Sequence, residues 1–178
     1  MTREELEHAI RAACDVADDT EVYVFGSQAI LGQYPDAPAQ LRQSAEADIA
    51  PKNRPDRADK IDGALGELST FHKTHGFYVH GLSIASATLP DGWENRARIV
   101  QNENTGGAKG ICVEAHDLAA SKLKAYREKD REFVRTLLDE GLIRPNKLVR
   151  VINLLPIDEV ERMRLIEWVD LTVRDLAS

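Results

Sequence analysis

The sequence predicts an α+β fold, a mixed β-sheet flanked by helices and followed by a C-terminal helical segment. Three observations predict it. Short runs of apolar and β-branched residues, "EVYVF" (21–25) and "EADIA" (46–50), read as strands bounded by turn residues. Apolar residues recur at helical spacing through 2–18 (Leu6, Ala9, Ile10, Ala13, Ala17) and again between Pro55 and His72 (Ile61, Ala64, Leu65, Leu68). From His116 onward the apolar pattern has the helical period throughout.

The elements follow in order. A helix over 2–18 leads into the strand 21–25, then a short helix at 28–32 and a loop, "GQYPDAPAQLRQS", that carries two prolines. The strand 46–50 is stopped by Pro51, and the helix from Pro55 to His72 leads to "GFYVHGLSIASATL" (76–89), which reads as one strand or two. "ARIVQNE" and "GICVEA" are shorter strands around a flexible "NTGGAKG". His116-Asp117 opens a long helix to Glu140, stopped by Gly141, and two more helices cover Arg144–Leu154 and Asp158–Ala177. This divides the chain into an α/β core over 1–115 and a helical part over 116–178, packed as one compact unit.

Composition narrows the class of function. A chain of 178 residues with 43% hydrophobic content has room for a real core. Its formal net charge of −7 argues against a protein that coats nucleic acid through a broad basic surface, while leaving room for a local basic patch. No apolar run approaches the roughly 20 residues of a membrane span, and "MTREELEHAI" is an acidic amphipathic helix rather than a signal peptide. Cys14 and Cys112 lie far apart without metal-ligand spacing and read as reduced packing residues of a cytoplasmic protein.

Two places carry chemistry. Glu46 and Asp48 are two positions apart on a strand and therefore share one face. Like charges side by side repel unless a cation sits between them, and a hard divalent ion with oxygen ligands answers that need; a solvated edge strand is the other reading. Gly26-Ser27 closes the preceding strand, where glycine lets the backbone turn and approach a ligand while the serine hydroxyl meets a phosphate oxygen or caps the next helix. The second place is the long helix. Lys122 and Asp130 fall inside its apolar arc, among Leu118, Leu123, Tyr126, Phe133 and Leu137, where charge is seldom left without a partner. They pair at the core margin, or they face a cleft in which Lys122 neutralises phosphate charge and Asp130 orients it, with Arg127 at the border. Trp93 and Arg96 in "LPDGWENRAR" either line a nucleotide pocket or pack structurally.

"VFGSQAILG…SAEADIAP" followed by "HDLAASKLKAYREKD" resembles the nucleotidyltransferase superfamily with the polymerase-β-type core, most closely its toxin-type members, the AbiEii and MenT groups. The likeness spans most of 20–140. It implies a nucleotidyltransferase-like sheet, Mg²⁺ (or Mn²⁺) as cofactor and a nucleoside triphosphate such as ATP, CTP or UTP as substrate. Carried over by position, Gly26 and Ser27 match the phosphate-gripping pair, Asp48 the second metal-binding acid, and Glu46 stands where the first is usually aspartate. Lys122 matches the lysine of the Asp-Leu-x-x-x-Lys helix, and Asp130 the acid one or two turns later; Arg127, at the border of the helix face, reaches a phosphate or is a solvated surface arginine. The third metal-binding acid of the family comes from a later strand, and "GFYVHGL" offers only His80 there, which stands at the metal and orients a bound water or is a core histidine.

The resemblance further implies transfer of a nucleotide to a hydroxyl acceptor such as a tRNA 3′ end, and a cognate antitoxin protein as partner. Lys52, Arg54, Arg57, Lys124 and Arg131 are then local phosphate contacts, or ordinary solvated charge. Glu46 and the missing third acid keep a non-catalytic nucleotide- or partner-binding relative in view. A metal-dependent hydrolase or nuclease using the same carboxylates is the third reading. The long gap between Ser27 and Glu46 is expected to lid the site or dock a partner.

Overall fold

Strand alternation organises the first unit of the molecule. The computed structural model describes residues 1–178, which divide into a sheet unit (1–86 and 97–114) and a helical unit (87–96 and 115–178). The segment 87–96 thus goes with the helices rather than with the front of the chain. In the sheet unit, strands β1 (Glu21–Phe25), β2 (Glu46–Pro51), β3 (Tyr78–Gly81), β4 (Arg98–Val100) and β5 (Lys109–Cys112) form one mixed sheet in the order β3-β2-β1-β5-β4. β1 runs antiparallel to β2 and parallel to β5, β2 runs parallel to β3, and β4 pairs antiparallel with β5. Pro51 lies inside β2, opposite Val22, where the sequence placed a stop; at the last strand position its missing N–H costs the ladder little.

Residues opposite one another in a ladder share a face. Val22, Val24, Ala47, Ile49 and Val79 therefore lie together, and all five are fully buried. Helices α1 (Arg3–Ala17) and α2 (Ala58–Leu65) cover that face. Two glycines show how closely: a Cβ on Gly110 would stand 2.5 Å from Ile10 Cδ1 of α1, and one on Gly81 would stand 2.3 Å from the Ala58 carbonyl of α2. The other face carries Tyr78 and His80 at the β3 edge, then Glu46 and Asp48, then Tyr23 and Phe25.

Helix α1 begins with a capping box in which Thr2 and Glu5 satisfy each other's backbone donors. The helix expected from Pro55 to His72 is broken into a 3₁₀ turn (55–57), α2 and α3 (Thr70–His75), because Gly66 ends α2 and Ser69 caps α3 anew. The stretch 76–89 holds only one strand, β3, followed by a turn. The loop between β4 and β5, expected to be flexible, is fastened to α1. Asn102 and Asn104 each donate to Glu7 at 2.8 Å, and Thr105 is fully buried. Burial opposes the charge of Glu7, but these two amides and Arg3 outweigh it and hold the carboxyl below its usual range.

The helical unit contains α4 (Trp93–Arg96), α5 (Ala115–Ala125), α6 (Glu128–Asp139), α7 (Pro145–Ile152) and α8 (Glu159–Ala177). Leu118, Leu123, Val134, Leu137, Leu148, Ile152 and Leu165 form its buried centre. The long helix expected from His116 to Glu140 is two helices: Tyr126 turns left-handed (φ 57°) and Arg127 starts α6 in extended conformation. Periodicity does not reveal this break, since apolar positions resume in phase with the buried centre on the far side. Tyr126 is held at the corner between the guanidinium groups of Arg131 and Arg164, 4.7 and 4.3 Å from its ring centre. Both cysteines are buried, and that burial pushes each thiol up to about 12, as expected of reduced packing residues. No helix is long and apolar enough to cross a membrane.

Candidate metal centre

The exposed face of the β2–β3 pair brings four polar side chains together. The register sets Glu46 opposite Tyr78 and Asp48 opposite His80, so period-two alternation on both strands stands all four on one face while Ala47 and Val79 fill the core behind. His80 Nδ1 lies 3.4 Å from Asp48 Oδ1 and 3.8 Å from Glu46 Oε1. One ligand atom from each of Glu46, Asp48 and His80 fits within 4.8 Å of the others, a spacing from which three groups can hold one ion. Tyr78 donates its hydroxyl to Glu46 Oε2 at 2.7 Å. Burial and that hydrogen bond to a carboxylate raise the phenol above its usual range, so it remains a donor.

Gly26 completes the cradle from the neighbouring strand. Phe25 is the residue opposite Asp48, and the chain turns immediately after it. Gly26 has φ 67° and ψ −173°, a backbone conformation essentially restricted to glycine. A Cβ there would stand 2.1 Å from Asp48 Oδ2, so the bare glycine is what lets the carboxylate lie against the backbone. Ser27 opens a six-residue 3₁₀ turn (27–32) that Gly26 caps without a side-chain hydrogen bond. The serine is therefore not the cap, and so short a turn contributes little dipole toward an anion. The loop after it is anchored at two points: Ala37 and Leu41 are buried, and Gln28 donates to the Leu41 carbonyl.

Gly26, Ser27, Glu46, Asp48 and His80 thus belong to the sheet unit, whereas Lys122, Arg127 and Asp130 form a group of their own in the helical unit. Lys122 and Asp130 are not on one helix face. They meet across the corner at Tyr126, with Lys122 Nζ 3.4 Å from Asp130 Oδ1. Arg127 Nε donates to Asp130 Oδ2 at 2.7 Å, and Asp130 accepts the Arg127 backbone N–H as the third residue of α6. Burial opposes the Asp130 charge, but Arg127 and Lys122 hold its carboxyl below the usual range. The lysine also lies over the Phe133 ring, 4.6 Å from its centre. The pairing reading of these two residues matches this geometry.

Other residues weighed on sequence alone are committed elsewhere. Arg96 grips the fully buried Asp117 with two nitrogens, at 2.9 and 2.6 Å, and donates to the Asp91 carbonyl. The basic candidates each stand beside acids or rings: Lys52 by Glu21, Arg54 by Asp18 and Asp56, Arg57 by Asp56, Lys124 by Glu161 and Arg131 on Tyr126. Sequence reasoning missed Tyr78, whose only signal was its place two residues before His80. It also missed the Arg96–Asp117 pair, which no local pattern announces. No protein-family model, curated protein or solved structure matches this chain.

Proposed function

We propose that the Glu46–Asp48–His80 face is the catalytic centre of a metal-dependent nucleotidyltransferase. The convergence of these three side chains beside a glycine that only a bare backbone could provide is the observation that supports this reading. The donor set fits Mg²⁺ or Mn²⁺: two carboxylates neutralise the ion, and three protein ligands leave positions for phosphate oxygens. Such an ion, when bound, neutralises charge on the α-phosphate and eases loss of the acceptor hydroxyl's proton.

The chain's own residues supply the rest. Asp48, pressed on Gly26, and Glu46, fixed by Tyr78, present one carboxylate oxygen each toward His80. Ser27, next to Gly26, offers its hydroxyl to a phosphate oxygen. In the reaction an acceptor oxygen bonds to the α-phosphorus, the bond from that phosphorus to the bridging oxygen breaks, and pyrophosphate leaves. The resemblance adds a tRNA 3′ end as acceptor and a cognate antitoxin as partner.

The test is incubation of the purified chain with Mg²⁺ or Mn²⁺, total tRNA and each α-labelled nucleoside triphosphate, beside Asp48→Ala. Label enters RNA with one class of nucleotide, and the variant loses at least about 10³-fold of that activity. Shortening of the RNA instead would assign the carboxylates to a nuclease. Triphosphate binding without transfer to RNA or protein would assign the chain to the non-catalytic relatives.

A further inference from the structure

We propose that His80 makes this a nitrogen-containing site that selects Mn²⁺ over Mg²⁺. The inference rests on the metal centre of the nucleotidyl-transfer reading, and its test reads the metal alone. Three features carry it. The parallel register fixes His80 opposite Asp48, so the imidazole occupies the third corner of the ligand set by backbone pairing rather than by a mobile loop. Its Nδ1, rather than a ring edge, faces both carboxylates, at 3.4 and 3.8 Å. Two ligands each ~2.1 Å from one ion and at right angles lie ~3 Å apart, so modest side-chain rotations close the set around an ion.

The surroundings hold these ligands in their roles. Tyr78 takes Glu46 Oε2 and leaves Oε1 on the His80 side, which favours one oxygen rather than two from that carboxylate. Gly26 holds Asp48 Oδ2 against the backbone and leaves Oδ1 toward the imidazole. The result is one nitrogen and two oxygens. Mg²⁺ demands oxygen and gives up its water reluctantly, so exchanging a water for an imidazole brings it little. Mn²⁺, a first-row transition ion, binds carboxylate as Mg²⁺ does but takes an imidazole more readily, and it keeps open positions for phosphate oxygens. A third carboxylate in place of His80 would add charge that both ions welcome and would remove the discrimination.

The experiment titrates the full chain, freed of metal, with MnCl₂ while the free Mn²⁺ signal is followed by electron paramagnetic resonance, then displaces bound Mn²⁺ with Mg²⁺. Pulsed measurements on the bound ion look for coupling to a ¹⁴N nucleus. The expected result is a ¹⁴N coupling and a preference for Mn²⁺ of about tenfold or more. His80→Asp is expected to lose the coupling, keep an ion, and shrink the preference to about threefold or less. Bound Mn²⁺ without nitrogen coupling in the native chain, or an undiminished preference in a folded His80→Asp, overturns the proposal. The native measurement depends on no variant folding. Nitrogen-coupled Mn²⁺ with no nucleotide transfer would refute the reaction and keep this inference, whereas transfer with Mg²⁺ and no nitrogen coupling would do the reverse.

Discussion

The two units each gather charged side chains, and they do so in opposite ways. In the helical unit, Asp130 is fully buried and met by two cations, Lys122 and Arg127, while Asp117 is gripped by Arg96. In the sheet unit, Glu46 and Asp48 stand half-exposed beside a phenol and an imidazole, with a glycine cleared to make room. Buried carboxylates matched by fixed cations hold helices at their corners. Half-exposed carboxylates crowded onto one face cost stability through repulsion, and that cost is recovered when a cation binds. Carboxylates occur in both places; their burial and their partners separate a brace from a candidate site.

The largest effect expected within this comparison is on the brace. Asp130→Asn leaves Lys122 and Arg127 facing a neutral group and removes the charged acceptor at the start of α6, at a cost of roughly 3 kcal/mol in unfolding free energy by urea titration. Its pH dependence has a definite sign. The folded carboxyl lies below its unfolded value of about 3.9, so its stabilisation is complete above that value and is lost as pH falls through the folded value. The difference between wild type and Asp130→Asn therefore shrinks on acidification below about pH 4. A difference that persists unchanged in acid would mean that the pairing contributes little.

Gly26→Ala is next. Its Cβ must displace the Asp48 carboxylate, and its backbone conformation disfavours any side chain, so stability falls by about 2 kcal/mol and Mn²⁺ binding weakens sharply. Thermal unfolding and metal titration read the two consequences separately. Unaltered metal binding in this variant would show that Asp48 is not a ligand. The smallest effect is expected of Tyr78→Phe, which frees Glu46 Oε2 without opening the core; Mn²⁺ affinity drops about tenfold while stability changes by less than about 1 kcal/mol.

Much of the site was legible because it is written locally. Period-two alternation alone put Glu46 and Asp48 on one face, and the Gly26-Ser27 pair announced a sharp turn after the first strand. Less of the helical unit could be read. Lys122 and Asp130 shared an apolar arc only if the helix ran straight, and the left-handed Tyr126 between them obeys a packing preference that no residue type reveals. The stretch 104–110 looked flexible by composition, yet Glu7, far away in sequence, anchors its start through Asn104.

The sequence by itself determined the α+β class, the strands 21–25 and 46–50, and which face of the second strand carries its carboxylates, because strand and helix periods are properties of neighbouring residues. Only the tertiary structure decided that His80 and Tyr78 stand opposite Asp48 and Glu46, that Gly26 yields its side-chain space to Asp48, and that Asp130 serves Lys122 and Arg127. Strand register and helix corners are set by packing between residues distant in the chain, and no local pattern encodes the partner across the gap.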